Sequence, residues 1–317
     1  MSNFVKFFLC AVVIAIFSGC EKSEPDSISD GKSMVPLRVV ATTTMVADLV
    51  RAIGGGNVEV EGLMGPGVDP HLFKPTASDI TELQNADVIF YNGLHLEGRM
   101  AELFSKLADR GKRAVAVTSS IPKEKLLSPP EFEGNPDPHV WGDAGLWKHT
   151  IDSVVQVLSE VAPQHAEAFK ANGENYAIML NELDAWAKSR AAELPENKRI
   201  LVTSHDAFNY LGRAYGFQVV GVQGISTITE AGLADVARVV DFIRERNVKA
   251  IFVESSVPRA TIERISRDSG AKVGGELFSD AMGTPGQMET AGGETYDVGT
   301  YPGMLKHNIN TAVDSLK

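Results

Sequence analysis

Short β-branched or wholly apolar runs alternate with amphipathic stretches twice along this chain, and residues 145–194 between the two blocks carry hardly a strand signal. Strands repeat every two residues and helices every 3.6, so neither pattern can adopt the other's structure without misplacing its apolar face. Strand–helix alternation of this kind points to α/β lobes with mainly parallel sheets. In the first block, "LRVVATTTMVADLVRAIGGG" passes from a β-branched run, Val39 to Thr44, into a helical pattern at Val46, Leu49, Val50 and Ile53. "NVEVEGLM" alternates like a strand, "TASDITELQNA" has a helical period behind a Thr/Ser start, and "DVIFYNG" reads as a strand buried on both faces. "HLEGRMAELFSKLADRG" is an amphipathic helix with His95 at its start, and "KRAVAVTSS" is a strand.

Pro163 divides the middle stretch into two helices. The second places Phe169, Tyr176, Met179, Leu180, Leu183, Trp186, Ala187 and Leu194 at three- and four-residue spacings. A helix of about 30 residues measures about 45 Å, longer than one small lobe needs, so it suits a strut between two lobes. Gly173 inside it counts against continuity. Alternation then resumes, with strands at "RILVTSH", "FQVVGVQG", "VKAIFVES" and "AKVGGELF", intervening helices, and a terminal helix "YPGMLKHNINTAVDSLK". The expected fold class is α/β: an N-terminal lobe over 37–162, a linker helix over 163–195 and a C-terminal lobe over 196–317.

The first nineteen residues read as a signal peptide. "MSNFVKFFLCAVVIAIFSGC" has Lys6, a short apolar run from Phe7 to Phe17, then Ser18 and Gly19 before Cys20. That run is too brief for a spanning helix and fits a secretory leader. "FSGC" resembles a bacterial lipobox, with Phe17 where an aliphatic residue is usual, and makes Cys20 the expected lipidation site. A plain secreted protein or a signal anchor is the alternative. Cleavage leaves one cysteine, so no disulfide is expected. Residues 20–36, polar and aperiodic, read as a flexible tether. A net charge of −11 makes the chain a poor partner for nucleic acid.

In open α/β sheets, ligands bind beyond the carboxyl ends of the strands. His71 follows the strand around Val58–Leu63 through "GPGVDPHLFKPT", and His139 stands in "SPPEFEGNPDPHVWGD" ahead of a helical segment. His205 ends the strand "ILVTS", and Asp280 ends "KVGGELFS". Asp-Pro-His therefore occurs twice, and each proline restricts the backbone that carries the ring. Three imidazoles and a carboxylate suit zinc or a similar divalent first-row ion. Their spacing alone is a weak signal, because no compact HExxH or CxxC motif is present. The bland alternatives are turn histidines bonded to carbonyls and a helix-capping aspartate. Glu254, ending "AIFVES", is placed to orient a ligand as hydrogen-bond acceptor, and equally to be a buried carboxylate satisfied by loop amides. Asp69, Asp137 and Asp206 lie too close to these residues in sequence to be separated from them. His95, His149, His165 and His307 read as structural. Ser204-His205-Asp206 cannot form a catalytic relay from three adjacent positions, and "AIGGG" lacks the GK[ST] of a phosphate loop.

Taken together, "VVATTTMVADLVRAIGG", "GVDPHLFKPTASDI", "ADVIFYNGLHLEG", "DPHVWGD", "TSHDAFNYLGRAYG", "ELFSDAMG" and "TYPGMLKHN" resemble the metal-binding lipoproteins that feed bacterial ATP-binding cassette importers of zinc and manganese. The resemblance covers nearly all of the chain beyond the leader. It implies two lobes joined by one long rigid helix, enclosing one ion between His71, His139, His205 and Asp280. It further implies capture of a divalent metal ion outside the cytoplasm and delivery to an ABC permease, without enzymatic activity, by a monomer that meets the membrane through its lipid anchor only. Manganese-associated members often carry Glu where this chain has His205, which tilts the choice between zinc and manganese slightly toward zinc. Against that, dedicated zinc carriers often have a long His-rich loop, and "PKEKLLSPPEFEGNPDP" has no histidine. The rival functions are a zinc-dependent hydrolase using the same ligands and a surface adhesin lipoprotein with a structural metal. Capture is preferred over chemistry because a catalytic zinc generally keeps a position open for water, whereas four protein ligands close the shell.

Overall fold

Residues 35–317 of the computed structural model, apart from residue 133, are described here. The expected leader, Cys20 and the tether as far as residue 34 lie outside them. Four short strands build the first sheet: β1 (Leu37–Ala41), β2 (Val58–Gly62), β3 (Val88–Tyr91) and β4 (Arg113–Ala116). They are all parallel, in the order β2-β1-β3-β4. Strands in such a sheet are covered on both faces, which is why β3 is a continuous apolar run, with Val88, Ile89 and Phe90 fully buried. The intervening helices are α1 (Thr44–Gly54), α2 (Ala77–Asn85) and α3 (Ala101–Asp109). Thr43 and Thr76 cap α1 and α2, each accepting a hydrogen bond from a first-turn amide.

The helical middle comprises α4 (Ala144–Trp147), α5 (Thr150–Val161) and α6 (Ala166–Ala191), the last entered through a single 3-10 turn at Pro163–His165. The second half repeats the parallel pairing. β5 (Ile200–Thr203) pairs with β6 (Gln218–Gly221), and β7 (Ala250–Glu254) pairs with β8 (Lys272–Leu277). β5 runs alongside β7. Helices α7 (Asn209–Tyr215), α8 (Leu233–Arg246), α9 (Ala260–Ser269) and α10 (Tyr301–Leu316) complete it.

Three apolar clusters hold these elements. One lies between the first sheet and the α2–α3 layer, around Leu83, Ile89 and Phe104. A second lies between β5–β8 and the α8–α9 layer, around Val202, Val239 and Ile251. The third is continuous through both halves and contains the inner faces of α1, α5, α6, α7 and α10. α6 is therefore a spine buried along one stripe, with Phe169, Gly173, Tyr176, Leu180, Leu183, Ala187 and Arg190 facing inward. It packs on α1 and α5 on one side and on α7 and α10 on the other. Asn172 donates to Ile53 O at 2.9 Å, Tyr176 to Asp48 at 3.2 Å, and Arg190 to Asn310 at 2.8 Å.

Three local expectations change. Gly173 does not interrupt α6; it is where α5 comes closest, since a Cβ there would lie 2.8 Å from Val155 Cγ2 and 3.0 Å from Ile151 Cγ2. His95 does not begin a helix. It follows Leu94 in a left-handed turn, with φ of 53° and 66°, ahead of the 3-10 turn Gly98–Met100 and α3. Finally, β9 (Met288–Ala291) and β10 (Glu294–Asp297) form an antiparallel hairpin closed by Gly292 and Gly293, both at positive φ. Its polar, half-exposed strands carry little apolar alternation and are not evident in the sequence.

The close approach at Gly173 sets a prediction. Alanine in a helix interior ordinarily gains about 1 kcal/mol over glycine. Here overpacking against α5 costs about 1–3 kcal/mol, so Gly173→Ala is expected to be net destabilising in urea unfolding. A stabilised variant would contradict the packing described.

Candidate metal centre

Two Asp-Pro-His turns and two strand ends deliver the site. In the first turn, Asp69 Oδ1 accepts the His71 amide at 2.8 Å; in the second, Asp137 Oδ1 accepts the His139 amide at 2.9 Å. An aspartate bonded to the amide two residues on is a self-contained turn, and the proline between them fixes φ. Each ring is thus mounted on a turn whose aspartate holds the histidine's own amide. His205 stands two residues beyond β5, with its amide donating to Glu254 Oε1 at 2.8 Å at the end of β7. Asp280 lies just past β8, where Ser256 Oγ donates to its Oδ2 at 3.2 Å.

His71, His139, His205 and Asp280 converge, with candidate ligand atoms all within 4.8 Å of one another. All four are buried, at 2, 0, 0 and 1 % exposure respectively. The three ring centroids are 5.4, 6.0 and 5.4 Å apart and mutually tilted, so the rings surround a point and do not stack. His71 Nε2 is 3.3 Å from His139 Nε2. His139 Nε2 lies 3.4 Å from Asp280 Oδ1, and His205 Nε2 lies 3.3 Å from Asp280 Oδ2. A tetrahedron around an ion with bonds of about 2.0–2.1 Å has edges of about 3.3–3.4 Å. The His71–His139 distance and the distance from each of His139 and His205 to its nearer Asp280 oxygen are of that size, although the two Asp280 distances run to different oxygens.

Carboxylates behind the rings choose the nitrogen that faces inward. Asp137 Oδ1 is 2.8 Å from His139 Nδ1, and Glu254 Oε2 is 2.5 Å from His205 Nδ1. Each carboxylate accepts the Nδ1 proton and leaves Nε2 directed at the shared centre. Of the two roles open to Glu254 in the sequence, it fills both, holding an amide and a ring. The support around His139 was not visible in the sequence. Asn92 Nδ2 donates to Pro138 O at 3.1 Å, while the loop carrying Asn92 is tied to buried Glu97 by the Asn92 and Gly93 amides at 2.7 and 3.1 Å. Tyr210 OH donates to Asp137 O at 2.9 Å, and Trp141 closes one wall, edge-on to His139. His149, His165 and His307 lie elsewhere; His307 is paired with Glu289 at 2.6 Å.

The electrostatics suit a cation. Burial pulls His139 down, but Asp137 and Asp280 outweigh it and lift the ring to about 9. Burial likewise lowers His205, and Glu254 with Asp280 raise it well above the usual imidazole range. Burial raises Asp280, yet His205 and His139 hold its carboxyl well below the usual carboxylate range. His71, dominated by burial, drops to about 3 and stays neutral. His205 Nε2 and Asp280 Oδ1 are buried with no hydrogen-bond partner among the described residues. An unsatisfied buried polar group costs about 1–3 kcal/mol, and a cation at the centre would satisfy both atoms.

Over residues 39–315 the sequence matches the family described as zinc-uptake complex component A, periplasmic. It is 43% identical over 317 residues to the manganese-binding lipoprotein MntA of Bacillus subtilis, covering 98% of each chain. The zinc-binding protein TroA of Treponema pallidum is 44% identical over 319 residues, covering 97% of this chain and 98% of the relative. The solved structure of periplasmic zinc-binding protein TroA from Treponema pallidum aligns with a TM-score of 0.83, covering 89% of this chain and 99% of that one.

Two predictions follow from the geometry. A ring lifted to about 9 keeps its proton below that pH, so an incoming cation must displace it. Affinity should rise with pH toward about 9 and fall as the solution is acidified. The slope should approach about a hundredfold per pH unit if both His139 and His205 lose protons. Competition titrations with zinc between about pH 6.5 and 8.5 measure it, and a flat profile contradicts the assignment. Glu254→Gln weakens the Nδ1 acceptor behind His205 and is expected to lower zinc affinity about 10–100-fold with the fold intact by circular dichroism.

Proposed function

This chain belongs to the periplasmic zinc-uptake complex component A family, and on that premise we propose that it captures one divalent transition-metal ion outside the cytoplasm and hands it to an ABC permease. His71, His139, His205 and Asp280 are the ligands in this reading. The observation that carries it is the buried set of four donors within 4.8 Å of one another, with two of their polar atoms making no hydrogen bond. The rings must be neutral and the carboxylate ionised to bind a dication, so rings that carry a proton beforehand release it on binding. Relatives named for manganese and for zinc match this chain almost equally well, so identity does not choose the metal. Three nitrogen donors and edges fitting bonds of about 2.0–2.1 Å favour zinc, and zinc binds such sites more tightly than manganese does.

Four protein ligands fill a tetrahedral shell, which suits transport of the ion and not hydrolysis, where a position is kept for water. One chain supplies all four, which supports a reading in which the protein works as a monomer. The lobes in this reading span 37–162 and 196–317, joined by the helix over 163–195. Among the described residues no helix is long and apolar enough to cross a membrane. We assign attachment to a lipid on Cys20, in keeping with the lipoprotein MntA, whose match spans 98% of this chain.

Purified protein is expected to load one zinc per chain without turnover, and zinc should displace manganese at equal concentration. His139→Ala should cost more than about a hundredfold in affinity, beyond the range for partners behind a ligand. Zinc binding undisturbed by that substitution would refute the site.

A further inference from the structure

Asp69 uses its two oxygens differently. Oδ1 holds the amide of His71 at 2.8 Å, and Oδ2 accepts the hydroxyl of Thr227 at 2.6 Å. Thr227 lies in the second half of the chain, on the loop between β6 and α8. One carboxylate therefore bridges the mounting of a ligand and the opposite side of the molecule. The segment that carries His71 packs on the first half, where Leu63, Val68 and Phe73 lie against the α2–α3 cluster. His139 differs, because its turn is gripped from both sides: Asn92 holds Pro138 O, while Asn209 and Tyr210 of α7 hold Asp137.

The Thr227 loop is anchored unevenly: Val222 and Ile225 are each 2% exposed ahead of Thr227, and Ala231 packs on the α8–α9 cluster behind it. Past Ile225, Ile228 is 59% exposed, whereas Thr227 is 7% exposed. Internal bonds keep its shape, from Gln223 to Thr229 O at 3.2 Å and from the Ile228 amide to Ser226 at 3.4 Å. Its inner side borders a cavity of about 1350 Å³, lined by Ser226, Ile228 and Thr229 together with His95, Arg99 and Phe132 from the first half. Between Ile225 and Ala231 the loop turns Ile228 outward and has open space beside it, so hydrogen bonds, that of Thr227 among them, are what hold this part of it.

We propose that the Thr227–Asp69 hydrogen bond is the latch that holds His71 against the other three ligands, and that its breaking sets the rate at which the ion leaves. This rests on the metal-capture reading and adds the order of release. His71 departs first with its Asp-Pro-His segment, while His139, His205 and Asp280 remain together on better-braced elements. Thr227 touches no ion and acts as a positioning residue through Asp69.

Stopped-flow transfer of zinc from loaded protein to excess EDTA tests the latch. Thr227→Val keeps the shape and removes the hydroxyl, leaving Asp69 free to cap the His71 amide. Release should accelerate about tenfold or more, as loss of a hydrogen bond to a charged acceptor implies, with the association rate changed less than about threefold. Thr227→Ser should restore wild-type release. Wild-type release from Thr227→Val, or equal acceleration in both variants, overturns the latch. Failure of the wild-type protein to load zinc would instead overturn the capture reading, so the two failures are distinguishable.

Discussion

Two buried carboxylates, Asp137 and Glu254, each hold the outer nitrogen of an imidazole, and the rest of the site follows from that constraint. A ring fixed at Nδ1 can only present Nε2 to the centre, and a ring so buried cannot turn away. The same carboxylates make the rings more basic, so they attract a proton or a cation strongly. Asp280 supplies the remaining negative charge, with one oxygen toward His139 and the other toward His205. Without a cation, the set must hold protons to avoid buried unpaired charge; with one, the charges are matched by the ion itself.

The scaffold makes this convergence possible by placing each of the four candidate ligands beyond the carboxyl end of a strand or in the loop facing it. Both halves share one apolar core along α6, α1 and α10. Sliding the halves past each other would disturb close contacts such as Trp147 of the first half stacked on Tyr301 of the second at 5.9 Å between ring centroids. The proposed latch lies outside that core, joining the His71 turn to the Thr227 loop.

Much of this was legible in the sequence, for identifiable reasons. Parallel strands buried on both faces leave apolar runs such as "DVIFY", and the spine leaves a stripe at three- and four-residue spacing. The Asp-Pro-His turns are local, so their mounting of His71 and His139 is written in three residues. What the tripeptide could not disclose is the further use of each aspartate. Asp137 turns onto its own histidine ring, whereas Asp69 reaches across to Thr227. Asn92 and Glu97 act through a tertiary hydrogen bond to Pro138 O, which no local pattern records. The β9–β10 hairpin escaped because its strands are polar, although Gly292-Gly293 did mark its turn. Gly173 misled because propensity counts it as a helix breaker, while packing requires it.

The most direct test of a single closed nitrogen- and oxygen-donor shell is zinc K-edge X-ray absorption of the loaded protein. Four nitrogen or oxygen neighbours at about 2.0–2.1 Å, with outer-shell scattering from about three imidazoles, is the predicted spectrum. A six-coordinate shell dominated by water, or one with a single imidazole, would contradict it.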